Sequence, residues 1–432
     1  MSGPKQFKPV VELKAVKNGE TATLVVPAEY LPGEFVLRFD YKEKPESTPY
    51  PSEKYILIGY QAIELWVHPM YANNPDSTRF QANEKENAAF ARFSEENVRQ
   101  KQKIGLLQQF LMDYDQPEST FYRQGILEYE NRRQAYNHWI NQKINEDSSL
   151  FASVLYRFSY LPKVNFSGDE RERLLSLIDH YFDGIRFNDP IMIRTAQMND
   201  WMNAYVNLHG QMATTVALRD SLIPAAAYKA IEKAKAGHPL VYGWMVDYFY
   251  RGFEANDIPS GMKVLEPYLS DPACLTTKRM EIERRLKGME TLKTGTKAPE
   301  IQLTDSENHP FLLSRFKTDA QTIILVFWSA DCSHCQSTIN ELYPWSLKDA
   351  NRKKVAVVAI SLDETDTEIM AWDRKIISLE GWKHLRAAEG INSKVANDYF
   401  ILATPVMLVV DALTLEIRAM PSTFSEMLTF FP

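Results

Sequence analysis

The sequence predicts a multi-domain α+β protein in which a small N-terminal β domain (1–75) precedes a central all-helical domain (76–294) and a C-terminal α/β domain (295–432). Three changes in residue pattern indicate this division. Apolar and polar residues first alternate with the period of a strand, then recur at steps of three and four, and finally form short β-rich runs between helical ones. A chain of 432 residues has room for two or three such domains.

The composition indicates a folded, acidic protein. Hydrophobic residues make up 45% of the chain, and 49 Lys and Arg stand against 56 Asp and Glu, for a formal charge of −7. No run of about five or six basic residues occurs, so nucleic acid is not an expected partner. The sequence contains no stretch of about 18 apolar residues, which is the length that a membrane-spanning helix needs. The first residues lack the apolar core of a secretory signal, but a signal removed during export leaves no trace, so the compartment stays open.

The N-terminal pattern predicts a hairpin and further strands. Turn signals stand at Asn18-Gly19 and Pro32-Gly33, and alternating apolar residues surround them. The hairpin strands are expected at 10–16 and 21–26, and the other strands at 34–41, 55–58 and 62–67. These short strands define the predicted β domain.

The middle of the chain predicts several packed amphipathic helices. The clearest of these helices has a mainly apolar stripe along one face. The stripe is formed by Tyr122, Ile126, Tyr129, Arg133, Tyr136, Ile140 and Ile144. Other helices are expected at 84–111, 149–160, 170–182, 225–236, 241–253 and 277–292. No repeated signature supports a solenoid. The aromatic residues between 122 and 253 are interpreted as core.

The C-terminal pattern predicts a mixed sheet with helices on both faces. The runs 323–327 and 355–361 are apolar throughout, as in strands buried on both faces, and a helical stretch follows each one. The helical stretches are 337–349 and 366–379, two more strands are expected at 406–410 and 416–420, and a closing helix at 423–430.

Two of the three cysteines form the sharpest chemical signal. Cys332 and Cys335 have Cys-x-x-Cys spacing after a buried strand, whereas Cys274 stands alone and is expected to be an inert buried thiol. The N-terminus of a helix favours an anion, so the thiolate of Cys332 is stabilised and Cys332 is the expected nucleophile. Cys335, one helical turn later, can attack a mixed disulfide and is the expected resolving cysteine.

Other uses of this cysteine pair are weaker alternatives. A structural zinc site needs four ligands, and no second pair of cysteines exists, so no metal and no cofactor is expected. A static disulfide would use the same two residues without exchanging electrons. A peroxidase-type site would need a proline where the chain has Leu325.

Further short motifs occur before and after the cysteines, within residues 295–432. They are Gly295-Thr296-Lys297-Ala298-Pro299, Phe327-Trp328, Tyr399-Phe400-Ile401, Ala403-Thr404-Pro405 and Val410-Asp411. Together with Cys-x-x-Cys they resemble thioredoxin-fold oxidoreductases of the ResA/TlpA type. The resemblance implies that the C-terminal α/β domain has a thioredoxin fold.

The resemblance also implies roles for individual residues. Pro405 would be a cis proline facing the active disulfide, and it counts with Cys332 and Cys335 as catalytic. The backbone of Thr404 would pair with an extended substrate, and Trp328, Ser333 and His334 would complete the substrate-binding surface.

The implied function is a thiol-disulfide oxidoreductase acting on proteins of the cell envelope. Its partners would be protein thiols or disulfides together with a membrane or periplasmic electron donor or acceptor. The order of β domain, helices and thioredoxin-like domain resembles multi-domain envelope proteins of Bacteroidota. We therefore expect residence in the periplasm or cell envelope, with membrane contact only through a lipid anchor that the given chain does not contain. The alternative is a binding or scaffold protein in which the first 290 residues hold a partner and the thioredoxin-like domain is secondary.

Two departures from the family pattern concern the proton of Cys335. Thioredoxins have an acid at the position of Val326, and ResA-like proteins have a Glu at the position of Thr338. Asp363 and Glu364 are alternative candidates for the proton acceptor of Cys335, although two carboxylates after a strand are more often simply solvated. His334 favours the thiolate of Cys332 and Asp331 opposes it, so the redox direction is left open.

Overall fold

The computed structural model describes residues 9–14, 16–256 and 258–431. Its contacts divide the chain into two compact units, Met1–Thr277 and Lys278–Pro432. Helices account for 49% of the structure and strands for 14%, so the mixed fold class is confirmed. Among the described residues, none of the helices is both long enough and apolar enough to span a bilayer.

The first unit opens with two small antiparallel ribbons. Strands β1 (Gly33–Tyr41) and β2 (Tyr50–Ile58) pair along their whole length, from Gly33 opposite Ile58 to Tyr41 opposite Tyr50. Strands β3 (Leu65–Val67) and β4 (Thr78–Phe80) form the second ribbon. The small N-terminal strands of the predicted fold class are therefore present.

The predicted hairpin between residues 10 and 26 is wrong. Its turn does form, because Gly19 has a positive φ of 80° and the amide of Glu20 donates to the carbonyl of Lys17. No strand flanks that turn in the described part of this segment, from which Ala15 is excluded. Val11 and Val25 are among the exposed apolar residues here, and a lone two-stranded hairpin without a buried face is marginal in water.

Helices make up the rest of the first unit, as predicted for the central region. Those in the described residues are α1 (Glu86–Asp113), α2 (Thr120–Glu146), α3 (Ala152–Tyr156), α4 (Glu170–Asp179), α5 (Ala196–Gln211), α6 (Val216–Lys235), α7 (Pro239–Ala255) and α8 (Pro259–Leu269). Most of their aromatic side chains lie in the core, including Tyr156, Tyr205 and Phe249, which are each 0% exposed.

Helix α2 buries the stripe that its sequence predicts. Tyr122, Tyr129, Tyr136 and Ile140 are all less than 5% exposed. Arg133 lies on the same stripe and is compensated there, because its guanidinium donates to Glu130 and to the carbonyl oxygen of Leu161. Hydrogen bonds from Arg133 lower the pKa of the Glu130 carboxyl below its ordinary value.

Helices α5 and α8 were not predicted, and α6 begins nine residues before its predicted start at 225. Pro224 lies inside α6, one residue before the predicted start. Pro224 lacks an amide hydrogen and leaves the carbonyl of Asp220 without its helical donor. The hydroxyl of Ser260 on α8 donates to that carbonyl over 2.9 Å, so tertiary packing supplies the missing bond.

The second unit contains one five-stranded sheet with helices around it. Its elements are α9 (Arg279–Thr291), β5 (Gln302–Thr304), β6 (Pro310–Leu312), β7 (Thr322–Trp328), α10 (Ser333–Ser346), α11 (Asp349–Arg352), β8 (Val355–Ser361), α12 (Asp366–Ile377), β9 (Lys383–Arg386), α13 (Lys394–Asp398), β10 (Val406–Asp411), β11 (Ile417–Ala419) and α14 (Phe424–Leu428). The strand order is β11-β10-β7-β8-β9. Strands β7, β8 and β9 are parallel, and β10 and β11 run antiparallel to their neighbours.

Strand β7 is buried along its full length, as its continuous apolar run predicts. Ile323, Leu325 and Phe327 belong to the core on one face of the sheet. The alternate residues, including Val326 and Trp328, belong to the core on the other face. The end of this central strand is therefore held in place from both sides.

Helix α9 falls in the second unit, ahead of the predicted domain start at residue 295. Leu292, which follows it, is 7% exposed and belongs to a core cluster of the sheet. The start of the C-terminal domain at residue 295 stays a prediction.

Candidate active site

The cysteine pair lies where the central strand β7 leads into helix α10. Three residues follow the end of β7 at Trp328, and Cys332 is then the N-cap of α10, with an extended backbone. Strand β8 runs parallel beside β7, with Ser361 opposite Trp328. The pair therefore lies at the carboxyl edge of the parallel strands, where ligand sites of open α/β sheets are found.

The two sulfur atoms are bonded as a disulfide and differ in exposure. The Cα atoms of Cys332 and Cys335 are 5.2 Å apart, within the usual range for a disulfide. Cys332 is half-buried, whereas Cys335 is 0% exposed. The amide of Cys335 donates to Cys332 Sγ over 3.1 Å, and an N–H aimed at this sulfur favours a negative charge on it. An incoming molecule can reach Cys332 but not Cys335.

The segment before strand β10 faces the accessible sulfur. Strand β10 is antiparallel to β7, with Val406 opposite Phe327, so the residues just before Val406 lie beside the end of β7. The Thr404-Pro405 peptide bond is cis. The carbonyl oxygen of Thr404 is 3.5 Å from Cys332 Sγ. Thr404, Pro405 and Cys332 are thus brought together although they are about 70 residues apart in sequence.

A buried carboxylate fixes the turn that precedes Cys332. Asp363, two residues after β8, is 0% exposed. It accepts hydrogen bonds from the hydroxyl of Ser329 at 2.5 Å, from the amide of Ala330 at 3.1 Å and from the hydroxyl of Ser361 at 2.6 Å. Each carboxylate oxygen accepts at least one of these bonds. The carboxylate therefore ties the turn at the end of β7 to the end of β8.

The solvated interpretation of Asp363 is wrong, while Glu364 beside it is exposed. The sequence does hold a signal for this position. Residues 323–327 and 355–361 are each predicted as a buried strand followed by a helix, and strands joined through a helix can run parallel, with their carboxyl ends at one edge of the sheet. A carboxylate just after the second strand is thereby expected to lie beside the turn after the first.

The remaining predicted site residues have different surroundings. Ser333 and His334 are exposed on the first turn of α10, where an approaching partner can contact them. Trp328 is 0% exposed in the same core cluster as Cys335. A side chain without exposed surface cannot contact substrate, so the predicted binding role of Trp328 is corrected to packing behind the site.

The candidate metal ligands of the described residues lie outside this site. Asp305, Glu307 and His309 at the β5-β6 turn have ligand atoms within 4.8 Å of one another. Asp305 already accepts the amides of Glu307 and His309 and pairs with Lys383. These are the contacts of a turn stabilised by its own aspartate.

Fold and site together define a thioredoxin-like domain at the C-terminal end of the chain. Residues 319–413 match a family model described as thioredoxin-like. The structural neighbours include thiol-disulfide oxidoreductases of Bacteroidota. No curated protein matches the chain.

Three solved structures illustrate the similarity. A thioredoxin-like protein from Bacteroides caccae is 18% identical, with 62% of this chain and 96% of that chain covered and a TM-score of 0.42. The C-terminal domain of a putative thiol-disulfide oxidoreductase from Bacteroides thetaiotaomicron is 21% identical, with 32% and 94% covered and a TM-score of 0.29. A domain of a possible thiol-disulfide isomerase from Cytophaga hutchinsonii is 30% identical, with 32% and 90% covered and a TM-score of 0.28.

Proposed function

We propose that this protein is a thiol-disulfide oxidoreductase that exchanges disulfides with proteins of the cell envelope through Cys332 and Cys335. The observation that carries the proposal is the asymmetry of the pair. One sulfur is accessible at a helix N-terminus beside a backbone carbonyl, and its partner is buried one turn away. This is the arrangement that a nucleophilic and a resolving cysteine need.

The exchange proceeds in two displacements. In the reducing direction the thiolate of Cys332 attacks one sulfur of a substrate disulfide, forms a mixed disulfide and releases the other substrate sulfur as a thiolate. Cys335 then loses its proton and attacks Cys332 Sγ, which releases the second substrate sulfur and leaves the Cys332-Cys335 disulfide. Two electrons pass from the protein to the substrate, and the two substrate thiolates take up protons. The reverse sequence oxidises a substrate dithiol.

The proposal includes partners and a location. A membrane or periplasmic electron donor or acceptor restores the starting redox state of the Cys332-Cys335 pair after each turnover: a donor after substrate reduction, an acceptor after substrate oxidation. The periplasm or cell envelope provides a compartment in which protein disulfides form and persist. The chemistry needs no metal or cofactor, since both reacting sulfur atoms belong to the chain.

The test is a trap for mixed disulfides. The Cys335→Ser variant keeps the accessible sulfur of Cys332 and loses the resolving attack, so a substrate attacked by Cys332 stays covalently bound. In an envelope extract this variant is expected to collect a small set of adducts that dithiothreitol releases, as seen on non-reducing gels and by mass spectrometry. The Cys332→Ser variant is the matched control and is expected to collect few.

An empty trap would contradict the proposal. If the Cys335→Ser protein forms no adducts while residues 1–290 recover a specific non-covalent partner, the chain is a binding or scaffold protein. Equal trapping by both serine variants would also contradict the division of roles between the two sulfurs.

A further inference from the structure

Helix α9 is attached to the end of helix α13 by a partly buried hydrogen bond. The guanidinium of Arg284 donates from Nη2 to the carbonyl oxygen of Ala396 over 2.9 Å. The same carbonyl accepts the amide of Ile401 over 2.8 Å. Arg284 therefore holds the carbonyl around which the chain reverses as it leaves α13.

The residue that makes this reversal packs against α9. Phe400 has a positive φ of 52°, the left-handed conformation that commonly ends a helix and that bulky residues rarely adopt. Gly288 on α9 lies directly against it, since a Cβ added to Gly288 would be 2.8 Å from the Cβ of Phe400. That approach is closer than real Cβ atoms show, so the contact depends on glycine.

The chain continues from this point to the active site in a few residues. Ile401 is 2% exposed and belongs to the core cluster that also contains Leu292. Three residues further on, the carbonyl oxygen of Thr404 faces Cys332 Sγ. Because α9 and Ile401 are fixed, only a short segment between Ile401 and Thr404 is free to move, and this limits the displacement of Thr404.

We propose that α9 is a brace that positions the Thr404 carbonyl beside Cys332, with Arg284 and Gly288 as its positioning residues. The inference rests on the proposed disulfide exchange. Thr404 is partly exposed, and its carbonyl next to the reactive sulfur can accept an N–H from a peptide that reaches Cys332. A small disulfide without a peptide backbone has no N–H to donate and no extended backbone that depends on the position of this carbonyl. Loosening the brace should therefore slow exchange with peptides more than exchange with small disulfides.

The experiment compares two oxidants of the reduced full-length protein. One is a synthetic peptide closed by an internal disulfide, and the other is hydroxyethyl disulfide. In each reaction the protein dithiol becomes the Cys332-Cys335 disulfide and the oxidant becomes two thiols. For Arg284→Met and Gly288→Ala we expect the second-order rate constant with the peptide to fall about tenfold. A small displacement of the Thr404 carbonyl would hold the bound peptide in a poorer position for attack by Cys332, and such displacements slow reactions strongly. The rate constant with hydroxyethyl disulfide should stay within about twofold.

Matched controls separate positioning from general damage. Lys287→Met removes a neighbouring exposed charge from α9, and Gly105→Ala adds a Cβ to a helical glycine with nothing within 4 Å of it. Both are expected to match the wild type. Arg284→Lys keeps one donor for the Ala396 carbonyl and should restore part of the peptide rate. If Gly288→Ala does not fold, Arg284→Met and Arg284→Lys decide the question.

Two outcomes would overturn the brace. Wild-type rates with both oxidants for Arg284→Met would show that α9 does not position Thr404. An equal loss with both oxidants would show that the substitution damages the site as a whole. A failure of the proposed function looks different, since the wild-type protein would then exchange with neither oxidant.

Discussion

The unequal exposure of the two cysteine sulfurs predicts unequal reactivity in the reduced protein. Cys332 should be the thiol that iodoacetamide alkylates fastest near neutral pH, because it is accessible and the amide of Cys335 is directed at its sulfur. Cys335 and Cys274 are 0% and 1% exposed and should react far more slowly. Mass-mapped alkylation kinetics measure all three rates in one sample. Equal labelling of the three cysteines would contradict the assignment of Cys332 as nucleophile.

A second prediction at this scale concerns Asp363. In Asp363→Asn one carboxylate oxygen becomes an NH₂ group that cannot accept, so at least one of the donors from Ser329, Ala330 and Ser361 loses its partner. Leaving a buried donor unpaired costs about 1–3 kcal/mol. We expect faster hydrogen exchange of the amides in β7 and β8 and slower disulfide exchange at Cys332.

The matched control for Asp363 is its neighbour. Glu364→Gln removes the adjacent exposed carboxylate without touching the hydrogen bonds of the turn. It should leave both hydrogen exchange and disulfide exchange at wild-type rates. Unchanged protection of β7 in Asp363→Asn would show that the turn does not depend on the carboxylate.

Among the elements, α9 decides how much of the chain the catalytic fragment needs. A fragment that starts at Lys278 keeps α9 and Leu292, whereas a fragment that starts at Gly295 loses both. Burying one leucine side chain contributes about 1.5–3 kcal/mol. The 278–432 fragment should therefore have a higher free energy of unfolding in urea than the 295–432 fragment. Equal stabilities would restore Gly295 as the start of the domain.

The elements also show what could be predicted from the sequence. Strands β7 and β8 could be predicted because continuous apolar runs suit strands buried on both faces. The Cys-x-x-Cys motif places Cys332 at a helix N-terminus, whereas the helical pattern alone places the start of this helix at 337, four residues after the observed start at Ser333. The place of α9 could not be predicted, since an amphipathic pattern indicates a helix but not the surface against which it packs. Strand β9 was missed because its four residues, Lys383–Arg386, are too few to show a period.

The turn beside the cysteines shows a similar limit at the level of side chains. Sequence reasoning selected Asp363 as a candidate but could not supply its surroundings. Its burial depends on two hydroxyls that reach it from different places, Ser329 just after the end of β7 and Ser361 at the end of β8. Such convergence is set by tertiary register, which spacing along the chain does not show.

Considered as a whole, the molecule devotes most of its length to a unit without cysteine chemistry. The only cysteine described in the first unit, Cys274, is buried. That unit has its own core of aromatic and aliphatic residues from its helices. A unit of this size is not needed to exchange disulfides, so we propose that it narrows the set of proteins that reach Cys332; deleting it should change the set of adducts that the Cys335→Ser trap collects.

The short span of the Cys332-Cys335 bond has a consequence for the durability of the protein. The two residues are separated by three positions, so the bond closes a very small loop and restricts the unfolded chain little. A cross-link of this span is worth roughly 2 kcal/mol in the chain-entropy model, less than one that closes a long loop. Cys335 belongs to the core on one face of the sheet and Cys332 packs against it, but every other member of the two cores lies outside the bond. If this bond opens and closes in the proposed exchange, we expect the architecture of the protein to stay intact through many cycles.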